Sequence, residues 1–382
     1  MSAPLTVRKQ VLARFGATAS ESDELLADNK NVFDHAPLES GLILPLEDEP
    51  FVPFWEAYAE EAKCIGTFNA LRKRLVQLNF PIQEGISAPE EYQQAVKKGI
   101  MSEQVAQNTG VALKSPGKID LIIHQTSAGK IPVIIAFERE DFVALLQALT
   151  CKNEPKPIPT SQGAAMIAGY NNWDRIWKFK EDFKHEQGLF FTEASWSEEF
   201  KTILAQKHLY QDKFIILSRA YYSGITPEQL GLDEEAWREQ SLIIRREHEC
   251  THYFTKRVLS SMQNKILDEL IADYAGITSA AGRFRADWFL RFVGLEHYPA
   301  YREGGRLQNY KGTPPLSDGA FRILQTLLYH AVKNLEAYEQ RYPQSVSATQ
   351  PIQPVLLALT YVTLEELASQ KCLQILQNRI IS

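Results

Sequence analysis

Residues 234–261, EEAWREQSLIIRREHECTHYFTKRVLSS, constrain this chain more than any other stretch. Asp233 stands before them as a helix N-cap. The stretch reads as one long helix, or as two joined near Gln240. Within it His248, Glu249 and His252 follow the order His-Glu-x-x-His. Residues i and i+4 share one face of a helix, so the two imidazoles can meet one ion with Glu249 beside them. Hydrolysis at zinc requires that arrangement. Two neutral histidines bind Zn2+ at ~2.0–2.1 Å, and the glutamate takes the proton of the attacking water without being a ligand. The competing reading is two histidines that fall four residues apart on an ordinary helix.

The following helix, "QNKILDELIADYAGITSAAG" over 263–282, weighs against that competitor. A catalytic zinc needs a third protein ligand and an open fourth position. Glu269 can supply the ligand. Asp273 lies one turn on and can accept a hydrogen bond from the far nitrogen of one zinc histidine, which fixes its tautomer. The alternative is a solvated acidic face that also carries Asp268. The carboxylates sit in a strongly apolar run, however, where buried acids need partners.

With "HECTH" and "ELIAD" on successive helices, the chain resembles the gluzincins, the thermolysin-like zinc metallopeptidases. The resemblance covers roughly residues 213–280. It implies His248, His252 and Glu269 as ligands of Zn2+, Glu249 as general base and Asp273 as orienting group. It also implies an α+β fold with a zincin-like core, a small, mostly antiparallel sheet packed on the His-Glu-x-x-His helix. In such a fold the strand before that helix, here "IILSRAYYSG", lies at the cleft edge and pairs with extended substrate. This sequence departs from the pattern in a short linker between the motifs and in Asp268, where asparagine is common. Tyr253-Phe254-Thr255 after His252 excludes the metzincin extension.

The rest of the chain divides into three expected segments: a mainly helical region over 1–115, the α+β core over 116–294, and a flanking loop with C-terminal helices over 295–382. In the first, 54–78 and 87–99 have helical periodicity. In the second, "IDLIIHQTSAGKIPVIIAFE" reads as a hairpin around TSAGK. A Pro-rich loop over 151–165 is expected to lead straight into a helix through "NNWDRIWKF", capped by Thr160 or Ser161. In the third, Thr363 and Glu366 fit a capping box. The loop "EHYPAYREGGRLQNYKG" offers His297, Tyr298, Tyr301, Arg302, Arg306 and Tyr310 as candidate oxyanion or substrate donors, with Gly304-Gly305 as a flexible pair. Cys250 lies off the histidine face and reads as a core residue.

A net charge of −6 gives no basic field for nucleic acid. No stretch approaches the ~18 apolar residues of a membrane span, and no signal-type apolar run opens the sequence. The four cysteines form no pair motif. The expectation is a cytoplasmic zinc hydrolase acting on a peptide or protein. The alternative is a non-catalytic zincin-like binding or regulatory protein.

Overall fold

The computed structural model describes residues 5–102, 110–263, 265–342 and 354–381. It is a mixed α+β protein, mostly helical, with one four-stranded sheet among the described residues. The chain divides into two compact units, one of residues 47–220 and the other of 1–46 with 221–382. These units cut across the three-segment division expected from sequence.

The first unit holds the sheet. Its strands are β1 (Ile119–Thr126), β2 (Gly129–Ala136), β3 (Ala164–Asn171) and β4 (Gln211–Ser218), in the order β1-β2-β4-β3. β1 and β2 form the expected hairpin, with Thr126 opposite Gly129 and a two-residue turn between them. β2 runs parallel to β4, and β3 antiparallel to it. Two of the three pairings are therefore antiparallel. One face is packed by Trp55 and Tyr58 of the helix Val52–Ile65 and by Phe142 and Leu145 of the helix Arg139–Thr150. These meet Ile134, Phe214 and Ile216 of the strands. The helical residues 52–74 thus belong with the sheet, not with the N-terminus. The periodic run 54–78 is not one helix, because Gly66 at φ 86° separates Val52–Ile65 from Thr67–Arg74.

Two strand expectations fail here. β3 occupies the segment expected to lead directly into a helix, and Asn172 rather than Thr160 or Ser161 caps that helix, Trp173–Gln187. β4 is not a cleft-edge strand. Its partners β2 and β3 take both of its edges, and Phe214–Leu217 are all buried. A continuous apolar run is what an interior strand needs. The sheet and the His-Glu-x-x-His helix also fall in different units, so the sheet's core is built from helices of its own unit.

In the second unit, the N-terminal helices join the C-terminal end of the chain. Arg8 Nε and Asn29 Nδ2 donate to the two oxygens of buried Glu365, each at 3.0 Å. The unit's two central helices are Glu234–Val258, here the motif helix, and Ile266–Ala281, the acidic helix. The motif helix is continuous through Gln240. Asp233 Oδ1 caps it, accepting from Glu235 N at 3.0 Å and Ala236 N at 3.2 Å. The acidic helix starts at Ile266, and Asn264 lies outside the described residues. The two helices cross closely at Gly276, where an added Cβ would stand 2.6 Å from the carbonyl oxygen of Ile244.

Candidate metal centre

Trp237, Ser241, Ile244, His248, His252 and Thr255 are all buried along the motif helix. Steps of three and four make them one stripe, so the histidines continue the face that packs inward. The acidic helix is buried on nearly every side, and Asp268, Glu269 and Asp273 are each no more than 5% exposed. The solvated acidic face considered from sequence does not exist.

His248, His252 and Glu269 form a buried group whose donor atoms all lie within 4.8 Å of one another. His248 Nε2 and His252 Nε2 are 3.1 Å apart. Glu269 sits astride them, with one oxygen 3.6 Å from His248 Nε2 and the other 3.6 Å from His252 Nε2. The far nitrogen of His248, Nδ1, lies 2.8 Å from Asp273 Oδ1. A carboxylate only accepts, so Nδ1 carries a hydrogen, and Nε2 is the nitrogen that faces the group.

Each acid has its own donors. Asp273 accepts from Tyr222 Oη at 2.5 Å and from Arg306 Nη2. Glu269 Oε2 accepts from Tyr310 Oη at 2.7 Å. Asp268 Oδ2 accepts from Gln263 N at 2.9 Å. Burial pushes the Glu269 carboxyl up, but His252, His248 and Arg306 outweigh it and hold the group well below the ordinary carboxylate range. Burial likewise opposes ionisation of Asp273, and Arg306, His248 and Tyr222 bring it below its usual value. Burial lowers His252, yet the carboxylates of Glu269, Glu249 and Asp268 carry it above a free imidazole. Both carboxylates are therefore held as anions, the state a cation needs. Glu249 is half-buried and makes no hydrogen bond or ion pair among the described residues. Cys250 is buried, and burial pushes its thiol well up, so it is an inert core residue and not a ligand.

A family model described as a family of unknown function, DUF7005, matches residues 10–371. The chain belongs to this family. No curated protein and no solved structure matches it.

In this DUF7005 chain the structure separates the loop donors expected near the site. Arg306 reaches it, bonding Asp273 and Tyr222, and Tyr310 reaches Glu269. The others point elsewhere. Tyr298 donates to Thr326 Oγ1 at 3.2 Å and stacks on Tyr329. Tyr301 donates to Gly305 O at 2.7 Å. Arg302 bonds Glu296 at 2.6 Å and the carbonyl of Arg291 at 2.7 Å. His297 is exposed. Nor is Gly304-Gly305 a loose pair. Gly294 and Gly305 meet backbone to backbone, where a Cβ on Gly305 would lie 2.6 Å from Gly294 Cα. Arg302 N donates to Gly294 O at 2.8 Å across the same neck. The loop is closed on itself and delivers Arg306 at its exit. Sequence reasoning missed Tyr222, which follows the strand segment as part of a tyrosine pair, a weak signal.

Proposed function

We propose that the chain is a zinc-dependent hydrolase of the gluzincin kind, a metallopeptidase acting on peptide or protein in the cytoplasm. One observation carries the reading. The imidazole nitrogens of His248 and His252 stand 3.1 Å apart and each has its own oxygen of Glu269 at 3.6 Å, close to the ~3.3–3.4 Å edge of a tetrahedron with ~2.0–2.1 Å bonds, and one donor atom from each residue lies within 4.8 Å of the others. Two imidazoles and one carboxylate are also the donor types of a catalytic zinc site. A bound Zn2+ would supply a Lewis acid that brings the attacking water toward a pKa of ~7. Glu249 follows His248 directly, and its carboxylate is committed to no other group among the described residues. It can take the water's proton and hold it for the leaving group. Asp273 keeps the hydrogen of His248 on Nδ1 and so leaves Nε2 to the metal.

One observation favours a second reading, a zincin-like binding protein without catalysis. β4, the strand expected to pair with substrate, has both edges occupied. The test separates the two. Purified wild type should hold about one zinc per chain, and His252→Ala should lose it. Glu249→Gln should keep zinc and lose at least ~10²-fold in cleavage of a peptide library. Near-zero zinc in wild type after zinc addition sinks the metal reading. Zinc-loaded wild type that cleaves nothing, or Glu249→Gln cleaving at the wild-type rate, sinks the hydrolase.

A further inference from the structure

Tyr222 is the first side chain of the second unit to enter the candidate metal centre after β4. It is buried, and its position is fixed from several sides. Its backbone N–H donates to Ser241 Oγ at 3.0 Å, two turns before His248 on the motif helix. Ser223, left-handed at φ 52°, turns the chain away immediately after it. Its ring lies edge-on to Phe292 at 5.0 Å. The guanidinium groups of Arg245 and Arg306 lie over the ring at 5.5 and 5.4 Å, a placement that the ring quadrupole favours.

The hydroxyl has three polar partners: Arg306, Asp273 and, at 3.0 Å, His248 Nδ1 itself. Arginine only donates and a carboxylate only accepts. Tyr222 Oη lies 2.9 Å from Arg306 Nη1, so it accepts there. Its own hydrogen goes to Asp273 Oδ1 at 2.5 Å. Arg306 Nη2 donates to Asp273 Oδ2, so one guanidinium fork grips phenol and carboxylate together. Asp273 Oδ1 takes its second hydrogen from His248 Nδ1 at 2.8 Å. The carboxylate thus has three donors and one orientation.

We infer that Tyr222 is a positioning residue of the metal centre: its hydroxyl closes the chain Arg306–Tyr222–Asp273–His248 and so aims His248 Nε2 at the ion. It is not one of the three candidate ligands. It supports His248 through Asp273 and by its own contact with Nδ1, and the inference rests on the metal-binding reading above. Without the hydroxyl, Asp273 keeps two donors but loses the one that shares Oδ1 with His248. Arg306 Nη1 keeps only Ser223 Oγ at 3.3 Å.

The experiment is a double-mutant cycle on zinc affinity, read by competition with a chromophoric chelator. Tyr222→Phe preserves the ring between its two arginines. It should weaken zinc binding by about 10-fold, the lower end for a group that supports a ligand, and Asp273→Asn by ~10–100-fold. The decisive arm is the double variant. Tyr222 and Asp273 hold the same imidazole nitrogen in one network, so the double variant should lose clearly less than the product of the two single losses. A purely structural tyrosine would instead give losses that multiply. The Co2+-substituted absorption spectrum should shift in Tyr222→Phe, because the field at the ion changes with the aim of His248. Arg306→Lys keeps the charge without the planar fork. It should show the same loss and carries the cycle if the phenylalanine variant fails to fold. Wild-type affinity in Tyr222→Phe, or multiplicative losses in the double variant, overturns the inference while leaving the metal site standing. Wild type that takes up neither zinc nor cobalt overturns the metal reading, and the inference with it.

Discussion

Gly276→Ala is the sharpest test of how the two helices that carry His248, His252 and Glu269 are held. The added Cβ would stand 2.6 Å from Ile244 O, 3.0 Å from Ile244 Cγ2 and 3.1 Å from Ile244 Cα. Two of these atoms are backbone, so no rotamer change relieves the clash. The helices must part by at least about 0.4 Å to bring the contact with Ile244 O to the ~3.0 Å below which Cβ atoms are essentially never found. Alanine gains ~1 kcal/mol in helix propensity over glycine, while overpacking a close interface costs ~1–3 kcal/mol. The net loss of stability is therefore modest, about 1 kcal/mol. The effect on the proposed metal site is larger. Ile244 is one turn before His248, and Gly276 two turns after Glu269, so the parting separates the histidines from Glu269, the proposed third ligand. Zinc sites tolerate only ~0.2 Å in donor distance, and a displacement of twice that should weaken zinc binding at least ~10-fold. Chelator competition measures the affinity, and hydrogen exchange over 241–258 and 266–281 measures the parting. Ile244→Ala in the same background should not rescue, because the carbonyl remains. Gly276→Ala with wild-type affinity and wild-type exchange would refute both the closeness of the helices and the ligand set that spans them.

Two further outcomes follow from the buried charges. In the first unit Asp212 accepts from Arg175 at 2.6 Å, Asn172 at 2.6 Å and Trp55 at 2.8 Å, with neither ion exposed by more than 1%. Asp212→Ala leaves a buried guanidinium without its carboxylate and should cost ~3–5 kcal/mol in chemical denaturation; a loss under ~1 kcal/mol would show that Arg175 finds another partner. The second outcome concerns pH in the metal-free protein. Glu269 and Asp273 are depressed, so their stabilisation is complete above the unfolded values near ~4 and is lost as the pH falls through the folded ones. His252 is raised, so its contribution is full below about pH 6.5 and is lost as the pH rises through its folded value. Melting curves in chelator at about pH 5.5 and 8.5, with those of His252→Gln subtracted, isolate this term from His35 and His330, which burial shifts the other way. The difference should shrink toward the higher pH, and zinc should reverse that order because it needs His252 neutral. A difference that grows with pH in chelator contradicts the assigned shift.

What was legible in the sequence is what a few consecutive residues decide. The i, i+4 spacing of His248 and His252, the Asp233 cap, the hairpin at Thr126–Gly129 and the Thr363–Glu366 capping box all appear as expected. Each depends on backbone geometry within one or two turns. β3 was not legible. "AAMIAGYN" is short of β-branched residues and carries a glycine at a bulge, and it is a strand because Phe214–Leu217 offer it an edge. The grouping of residues 1–46 with the C-terminal part was equally hidden, because Glu365 finds Arg8 and Asn29 more than 300 positions away.

The candidate site shows the same division in miniature, and shows why it was only half readable. An apolar helix carrying Asp268, Glu269 and Asp273 cannot be buried unless each carboxylate finds donors, since an unpartnered buried anion costs several kcal/mol. The sequence therefore already required donors, and only their identities were missing. The loop 295–317 was the right place to look, yet four of its six candidate donors turn away. The neck at Gly294 and Gly305 fixes which residues leave the loop toward the helices, and they are Arg306 and Tyr310. The remaining donor, Tyr222, comes from the segment that leaves the sheet. Glu249 is the exception among the site's acids. It alone of the four is only half-buried and makes no hydrogen bond or ion pair among the described residues, and a carboxylate left uncommitted beside a buried His–His–Glu group is the arrangement that proton transfer uses and that a purely structural metal site has no need of.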